Sequence, residues 1–343
     1  MKIKAGIIGG GGYVAGELIR CLLNHSKVEI SFVQSKSQSG KWISETHQDL
    51  LGSTDLQFSS EIDSEVDVVF LCLGHGNSKQ FLEQNQVGEN TKIIDLSNDF
   101  RLQKDAVFKL LVQASEPNST ALQTHHNRKF VYGLPELNKA EIQKANSIAN
   151  PGCFATAIQL GLLPLAKADL LNQDVHIHAI TGSTGAGQSL SATSHFSWRN
   201  NNVSIYKPFS HQHLGEIEES VISLQSNFDS ELNFLPVRGN FTRGIFASIY
   251  MKSDLSEVKL KQLFGEYYQD EPFTQVSLNP IHLKQVVNSN QCFLHVQKTD
   301  GKVLITSVID NLLKGAAGQA IQNMNLMFGL DESEGLKLKA GGF

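Results

Sequence analysis

Residues 3–23 constrain the fold more than any other stretch. Ile3-Lys-Ala-Gly-Ile-Ile8 is a short, mostly apolar run that predicts a buried strand. Gly9-Gly-Gly-Gly12 follows without a spacer. Tyr13 to Leu23 then carries Leu18, Cys21 and Leu22 at helical spacing. A strand that turns on glycine straight into a helix is the opening of a βαβ unit, so the expected fold class is α/β. The glycines allow a tight turn and close backbone approach, and the helix N-terminus attracts phosphate. A dinucleotide is the expected ligand, with Gly9, Gly12, Tyr13 and Val14 facing it. A solvated surface turn also explains a glycine cluster, but its place directly after the first strand favours the binding turn.

A second strand, Val28 to Val33, runs into Gln34-Ser-Lys-Ser37. Units that bind NAD usually carry an acid here for the ribose 2′-hydroxyl. Ser35, Lys36 and Ser37 suit a 2′-phosphate instead, which points to NADP. Two further buried runs, Glu65–Leu73 and Lys92–Ser97, end in the polar clusters Gly74–Ser78 and Asn98–Arg101. Ligands of open α/β sheets bind beyond the carboxyl ends of the strands. Arg101 is therefore a candidate for holding an anionic substrate, with a surface ion pair as the simpler account. Residues 102–130 show no readable pattern, and no site is inferred from His125 or His126.

The stretch Ile148-Ala-Asn-Pro-Gly-Cys-Phe154 changes the character of the chain. Pro151 and Gly152 stop the preceding element, and Phe154 to Lys167 reads as a helix. Cys153 should sit at the helix N-terminus, where unpaired N–H groups favour a thiolate. It is a candidate nucleophile; the alternative is a small buried hydrophobe. Beyond it, Val175–Thr181 alternates as a strand, and Gly182–Gln188 is a second small-residue loop. His211-Gln-His213 opens a helix that carries Glu216. With no third ligand nearby, an acid or base for a thiol is a better reading of the pair than a metal site. Strands at 231–237 and 244–250 flank Arg238 and Arg243. A hairpin turns at Asp300-Gly301, and a helix is capped by Ser256.

With 343 residues the chain is long enough for two cores, and a split near residue 150 separates the βαβ start from a block of antiparallel strands. The net charge of −5 offers no footprint for nucleic acid or an anionic membrane. The four scattered cysteines, without a CxxC pair, fit a reducing cytoplasm.

Taken together, the motifs resemble those of the N-acetyl-γ-glutamyl-phosphate reductases. The resemblance runs nearly end to end. Its carriers are Gly9-x-x-Gly-Tyr-x-x-x-Glu-Leu18, Asp95-Leu-Ser-x-Asp-Phe-Arg101, Tyr132-Gly-Leu-Pro-Glu-Leu137 and Ala149-Asn-Pro-Gly-Cys-Phe154. They continue with Ser183-Thr-Gly-Ala-Gly187, His211-x-His-x-x-Glu216, Arg243-Gly-Ile245 and Asp310-Asn-Leu-x-Lys-Gly-Ala-Ala-Gly-Gln319. Gly74 stands where a proline is common, Val14 and Phe154 replace the usual Thr and Tyr, and residues 105–128 match poorly.

The resemblance implies a Rossmann NADP-binding domain, residues 1–150, completed by a C-terminal segment, 311–343. Residues 151–310 would form an α+β catalytic and dimerisation domain, in a homodimer or homotetramer. It implies an NADPH-dependent oxidoreductase of arginine biosynthesis acting on a small acyl-phosphate substrate through a Cys153 thioester. His211 would manage protons, with His213 and Glu216 as supporting or alternative groups. Ser183, Gly185, Gly187 and Asn311 would border the cofactor. Ser97, Arg101, Asn150 and Arg243 would meet the substrate. The same chemistry on another N-acylglutamyl or an aminoadipyl phosphate is an alternative. So is a non-catalytic NADP sensor, against which the intact Cys153 and His211 speak.

Overall fold

A computed structural model describes residues 2–74, 76–102, 124–125 and 128–342. His75, His126 and most of the poorly matching stretch 105–128 lie outside the described residues. The chain divides into two compact units, Met1–Pro151 with Ala317–Leu336, and Gly152–Ala316 with Lys337–Phe343.

The first unit runs β1 (Ile3–Ile8), α1 (Tyr13–Leu23), β2 (Val28–Gln34), β3 (Phe58–Ser59), β4 (Val68–Leu71) and α2 (Asn77–Gln84). It continues through β5 (Lys92–Asp95), β6 (Thr124–His125), β7 (Arg128–Tyr132), α3 (Pro135–Lys144) and β8 (Ser147–Ala149). The second holds α4 (Cys153–Lys167), β9 (Val175–Thr181), β10 (Ser204–Ile205), α5 (His213–Leu224), β11 (Leu232–Arg238) and β12 (Ile245–Lys252). Then come α6 (Glu257–Tyr268), β13 (Thr274–Ser277), β14 (Cys292–Thr299) and β15 (Lys302–Ile309), before α7 (Gly318–Met327) returns to the first unit.

The eight-stranded sheet of the first unit has the order β3-β2-β1-β4-β5-β8-β7-β6. All its pairings are parallel except β6 with β7. Val68 to Leu71 is buried at every position, as a strand covered on both faces must be. The strand order reverses on either side of β1, which pairs with both β2 and β4. That reversal leaves a crevice at the carboxyl end of β1, where the glycine turn begins.

The C-terminal segment divides differently from the expected 311–343. Asn323 donates to the Gly133 carbonyl at 2.8 Å and to Asn150 Oδ1 at 3.0 Å, and Asn325 accepts from His25 Nε2 at 3.0 Å. These buried amides hold α7 in the first unit. Residues 311–316 group with the second, where Asp310 Oδ1 accepts from the amides of Leu312 and Leu313. Residues 337–343 also belong there.

The seven-stranded sheet of the second unit has the order β10-β11-β9-β12-β15-β14-β13. It is mixed, not the antiparallel block expected. β9 and β11 pair in parallel because the chain crosses between them through α5, and β13 and β14 are parallel too. The expected hairpin is present, with Asp300 and Gly301 at φ 47° and 75°. Ser256 caps α6, its hydroxyl accepting from the Lys259 amide at 3.3 Å.

Every residue of α4 from Phe154 to Ala166 is buried. An all-round apolar helix belongs in a core, and α4 is packed against α5, β12 and β15. It also contains Pro164, which has no N–H to give the Leu160 carbonyl. The Tyr268 hydroxyl donates to that carbonyl instead, at 2.5 Å. Among the described residues no helix is long and apolar enough to cross a membrane.

Candidate active site

Cys153 is the first residue of α4, after Gly152 in an extended conformation at φ −72° and ψ 151°. Its amide therefore belongs to the positive end of the helix. Glu216, from the first turn of α5, is nearly fully buried beside it and accepts from the Gly152 amide with Oε2 at 2.9 Å. Gln159 ties the two helices together, donating to the Glu216 carbonyl and to Ser220 Oγ, each at 2.9 Å.

Both histidines pack against the residues beside Cys153. His213 Nε2 stands 4.0 Å from Glu216 Oε1. It also faces the Gly152 backbone so closely that a Cβ there would lie 2.3 Å away. His211 packs edge-on to Phe154, with ring centroids 5.4 Å apart, and 4.6 Å from the His213 ring. The residues flanking Cys153 are thus the ones the imidazoles touch.

His211 is buried, and desolvation pushes its pKa down to about 4, with Lys207 adding a smaller effect in the same direction. It is neutral at pH 7. The His213 amide donates to His211 Nδ1 at 3.2 Å, so the neutral ring carries its proton on Nε2.

Gly315 packs closely against Cys153. A Cβ at that position would sit 2.8 Å from Cys153 Cβ. Nearby in sequence, Asn311 joins two loops: its Oδ1 accepts from the Gly244 amide at 2.6 Å and its Nδ2 donates to Thr184 Oγ1 at 3.0 Å. Ser183 begins this short helical turn, Gly185 and Gly187 are exposed along it, and Gly187 needs its positive φ of 77°. Arg243 forks onto fully buried Asp310, Nε to Oδ2 and Nη2 to Oδ1, both at 3.1 Å. Arg243 was expected to meet substrate; its observed partner is this carboxylate.

In the first unit, Gly9 takes φ 82°, and a Cβ on it would strike the Cys72 carbonyl at 2.7 Å. Gly12 has open space around its Cα at the start of α1, with Tyr13 and Val14 next. Ser35 is buried at the end of β2, whereas Lys36 and Ser37 are exposed. Ser97 donates to Asp95 Oδ2 at 2.7 Å and accepts from the Asp99 amide at 3.1 Å, so its hydroxyl shapes the loop. Arg101 is nearly buried, with Nε on the Asn150 carbonyl at 2.8 Å and Nη2 on that of Leu96 at 3.0 Å. Ser97, Arg101 and Asn150 therefore form one network, since the Asn150 amide also donates to the Asp95 carbonyl at 2.8 Å.

Of the other thiols, Cys21 and Cys292 are buried, but Cys72, expected to be buried too, is only partly so. Desolvation and then Asp95 still push its thiol up to about 12. Sequence reasoning missed Tyr206, which packs on His211 at 5.7 Å, and His47, which holds the Gly10 carbonyl at 2.8 Å. Neither falls in a periodic or motif-like stretch.

Two family models match the chain. The semialdehyde dehydrogenase NAD-binding domain covers residues 4–145 and the semialdehyde dehydrogenase dimerisation domain covers residues 153–311. A relative from Flavobacterium johnsoniae named N-acetyl-gamma-glutamyl-phosphate reductase is 60% identical over 99% of this chain and all of its own. One of the same name from Christiangramia forsetii is 58% identical with the same coverage. Among solved structures, aspartate semialdehyde dehydrogenase II of Vibrio cholerae superposes with a TM-score of 0.69 at 14% identity, covering 96% of this chain and 99% of that one. The Candida albicans aspartate semialdehyde dehydrogenase, solved with NADP, gives 0.67 at 14% identity, over the same shares of the two chains.

Proposed function

The chain belongs to the N-acetyl-γ-glutamyl-phosphate reductases of the semialdehyde dehydrogenase family, and from that premise we propose that it reduces N-acetyl-γ-glutamyl phosphate to the semialdehyde through a Cys153 thioester. The observation that carries this reading is the placement of Cys153 on the first turn of α4, beside the Glu216–Gly152 contact and the two imidazoles.

The Cys153 sulfur attacks the acyl carbonyl carbon, the carbon–oxygen bond to phosphate breaks, and a thioester remains. A thioester carbonyl accepts hydride readily, and sulfur then leaves as the aldehyde forms. The nicotinamide cofactor, when bound, supplies the hydride. The open approach to Gly12 at the helix N-terminus, and the close backbone contact at Gly9, fit a pyrophosphate. Ser35, Lys36 and Ser37, without an acid, favour NADP over NAD.

The proton work moves from His211 to His213 in this reading. A base near pKa 4 is a poor carrier for a thiol proton at neutral pH. His211 serves as a neutral hydrogen-bond donor through Nε2. His213, backed by Glu216, takes the thiol proton and returns it to the departing phosphate. The residues 153–311 that match a dimerisation domain are the ones that would join two copies. Four free thiols among the described residues fit the cytoplasm.

The test is Cys153→Ser, which should abolish turnover while leaving NADPH affinity intact, because a serine hydroxyl is scarcely ionised. In the unsubstituted protein, withholding the hydride donor should leave a labelled acyl group on peptide 148–157. Full activity in Cys153→Ser, or label confined to another cysteine, would sink the reading.

A further inference from the structure

The chain leaves β2 through two consecutive turns. The Gln38 amide donates to the Ser35 carbonyl at 3.3 Å, and the Lys41 amide donates to the Gln38 carbonyl at 3.0 Å. The loop is then stitched to β3. Gly40 donates to the Phe58 carbonyl at 2.8 Å, and the Lys41 carbonyl accepts from the Phe58 amide at 2.9 Å. Phe58 itself pairs with Val33 of β2. Lys41 is thereby returned to the sheet edge beside the end of β2.

The side chains of this loop lie against the glycine turn. A Cβ on Gly11 would lie 3.8 Å from Ser35 Oγ and 4.0 Å from Gln38 Cγ. Gln38 Oε1 accepts from Lys41 Nζ at 3.0 Å, so the ammonium is held on the side chain nearest that turn. Lys36 lacks such a tie: no hydrogen bond or ion pair among the described residues holds its side chain. Glu45, the first acid after β2, is taken up by the Trp42 amide, with Oε1 at 2.9 Å. In a unit of this kind the pyrophosphate lies at the glycine turn and the ribose 2′ position at the end of the second strand. Gln38 touches the first of these places and the loop starts from the second.

We propose that Lys41, aimed by Gln38, is the residue that selects NADP, its ammonium pairing with the 2′-phosphate of the cofactor. An ammonium has three donors, and the bond to Gln38 leaves two for phosphate oxygens. NAD offers only a hydroxyl at the same place, so the cation gains little from it. Specificity is that difference in affinity. Ser35 Oγ stands beside Gly11 as a neutral donor to the same group. The proposal rests on the reading of the cofactor as NADP.

The experiment is fluorescence titration of NADPH and of NADH into the native protein, Lys41→Gln, Lys41→Arg and Lys36→Gln, at low and at high salt. In Lys41→Gln the Kd for NADPH should rise about 10–100-fold while that for NADH stays unchanged. Lys41→Arg keeps the charge and should bind NADPH within a few-fold of native, as should Lys36→Gln. Salt should weaken NADPH binding less in Lys41→Gln than in the native protein, because the screened ion pair is gone. A Kd for NADPH within a few-fold of native in Lys41→Gln would overturn the proposal. So would an equal weakening of both cofactors, which marks a damaged loop, or a larger loss in Lys36→Gln. Native protein that binds NADH as tightly as NADPH would instead overturn the NADP reading beneath it.

Discussion

Gly152 gives its amide proton to Glu216 and, on the same residue, has no room for a side chain because His213 fills the space. One backbone position thus contacts both Glu216 and His213 next to Cys153. Gly152→Ala should drive the His213 ring away and cost about 1–3 kcal/mol of stability, the usual penalty for overpacking. Turnover should fall further than stability does. Urea unfolding measured alongside kcat at the same temperature checks this; an alanine variant with normal kcat would show that the ring's position is not needed.

Two buried groups give the unfolding free energy opposing pH trends. His211 has its folded pKa lowered to about 4 from the ordinary 6.5 of histidine, so the stability it contributes is present above 6.5 and is lost as pH falls towards 4. Asp95 is raised from 3.8 to about 6, chiefly by desolvation, so its contribution is full below 3.8 and is lost as pH rises through 6. In His211→Asn the stability difference from the native protein should be flat above pH 7 and shrink between 6.5 and 4. Urea titrations at half-unit pH steps read it; a pH-independent difference would refute the shift.

His47 should matter for cofactor affinity. Its Nε2 donates to the Gly10 carbonyl at 2.8 Å, and its ring abuts Gly16, where a Cβ would lie 2.6 Å from Nδ1. His47→Ala leaves a carbonyl of the glycine turn without this donor, at a cost of about 1–3 kcal/mol. The expected kinetic signature is a higher KM for NADPH with kcat little changed. Fluorescence titration of NADPH gives the affinity directly, and an unchanged Kd would count against the role.

Breaking the Arg243–Asp310 fork should be structural first and kinetic second. Asp310 is fully buried and also accepts the Asn288 amide at 2.7 Å. Asp310→Asn removes the charge opposite Arg243 and should destabilise by about 3 kcal/mol. Differential scanning calorimetry would show a lower Tm. A Tm equal to that of the native protein would mean the pair is worth no more than a surface ion pair.

The local signals in the sequence carried much of the fold. β1, α1 and β9 lie at the expected positions, and α6 begins at its Ser256 cap, because glycine turns, apolar spacing and caps act over a few residues. The pairing of β9 with β11 was not legible, since parallel register depends on a crossover and not on either strand's own pattern. Arg243 suits anions by its own chemistry, but its pairing with Asp310, 67 residues away, is set by the fold and was not legible. Tyr206 escaped notice in a polar, irregular run, and only the fold brings it to His211. The Cys153 position was legible because Pro151 and Gly152 punctuate the chain immediately before it.

The bond from Tyr268 to the Leu160 carbonyl has a consequence for the order in which the second unit assembles. It spans 108 residues, and it replaces an amide that Pro164 cannot supply. The helix that begins at Cys153 therefore cannot complete its own hydrogen bonding from local sequence, and must wait for α6 to dock. Loop closure over that distance makes the contact a late event in folding. Tyr268→Phe would accordingly speed unfolding far more than it slows folding. In the cell the same dependence ties a thiol-bearing helix to completion of its domain.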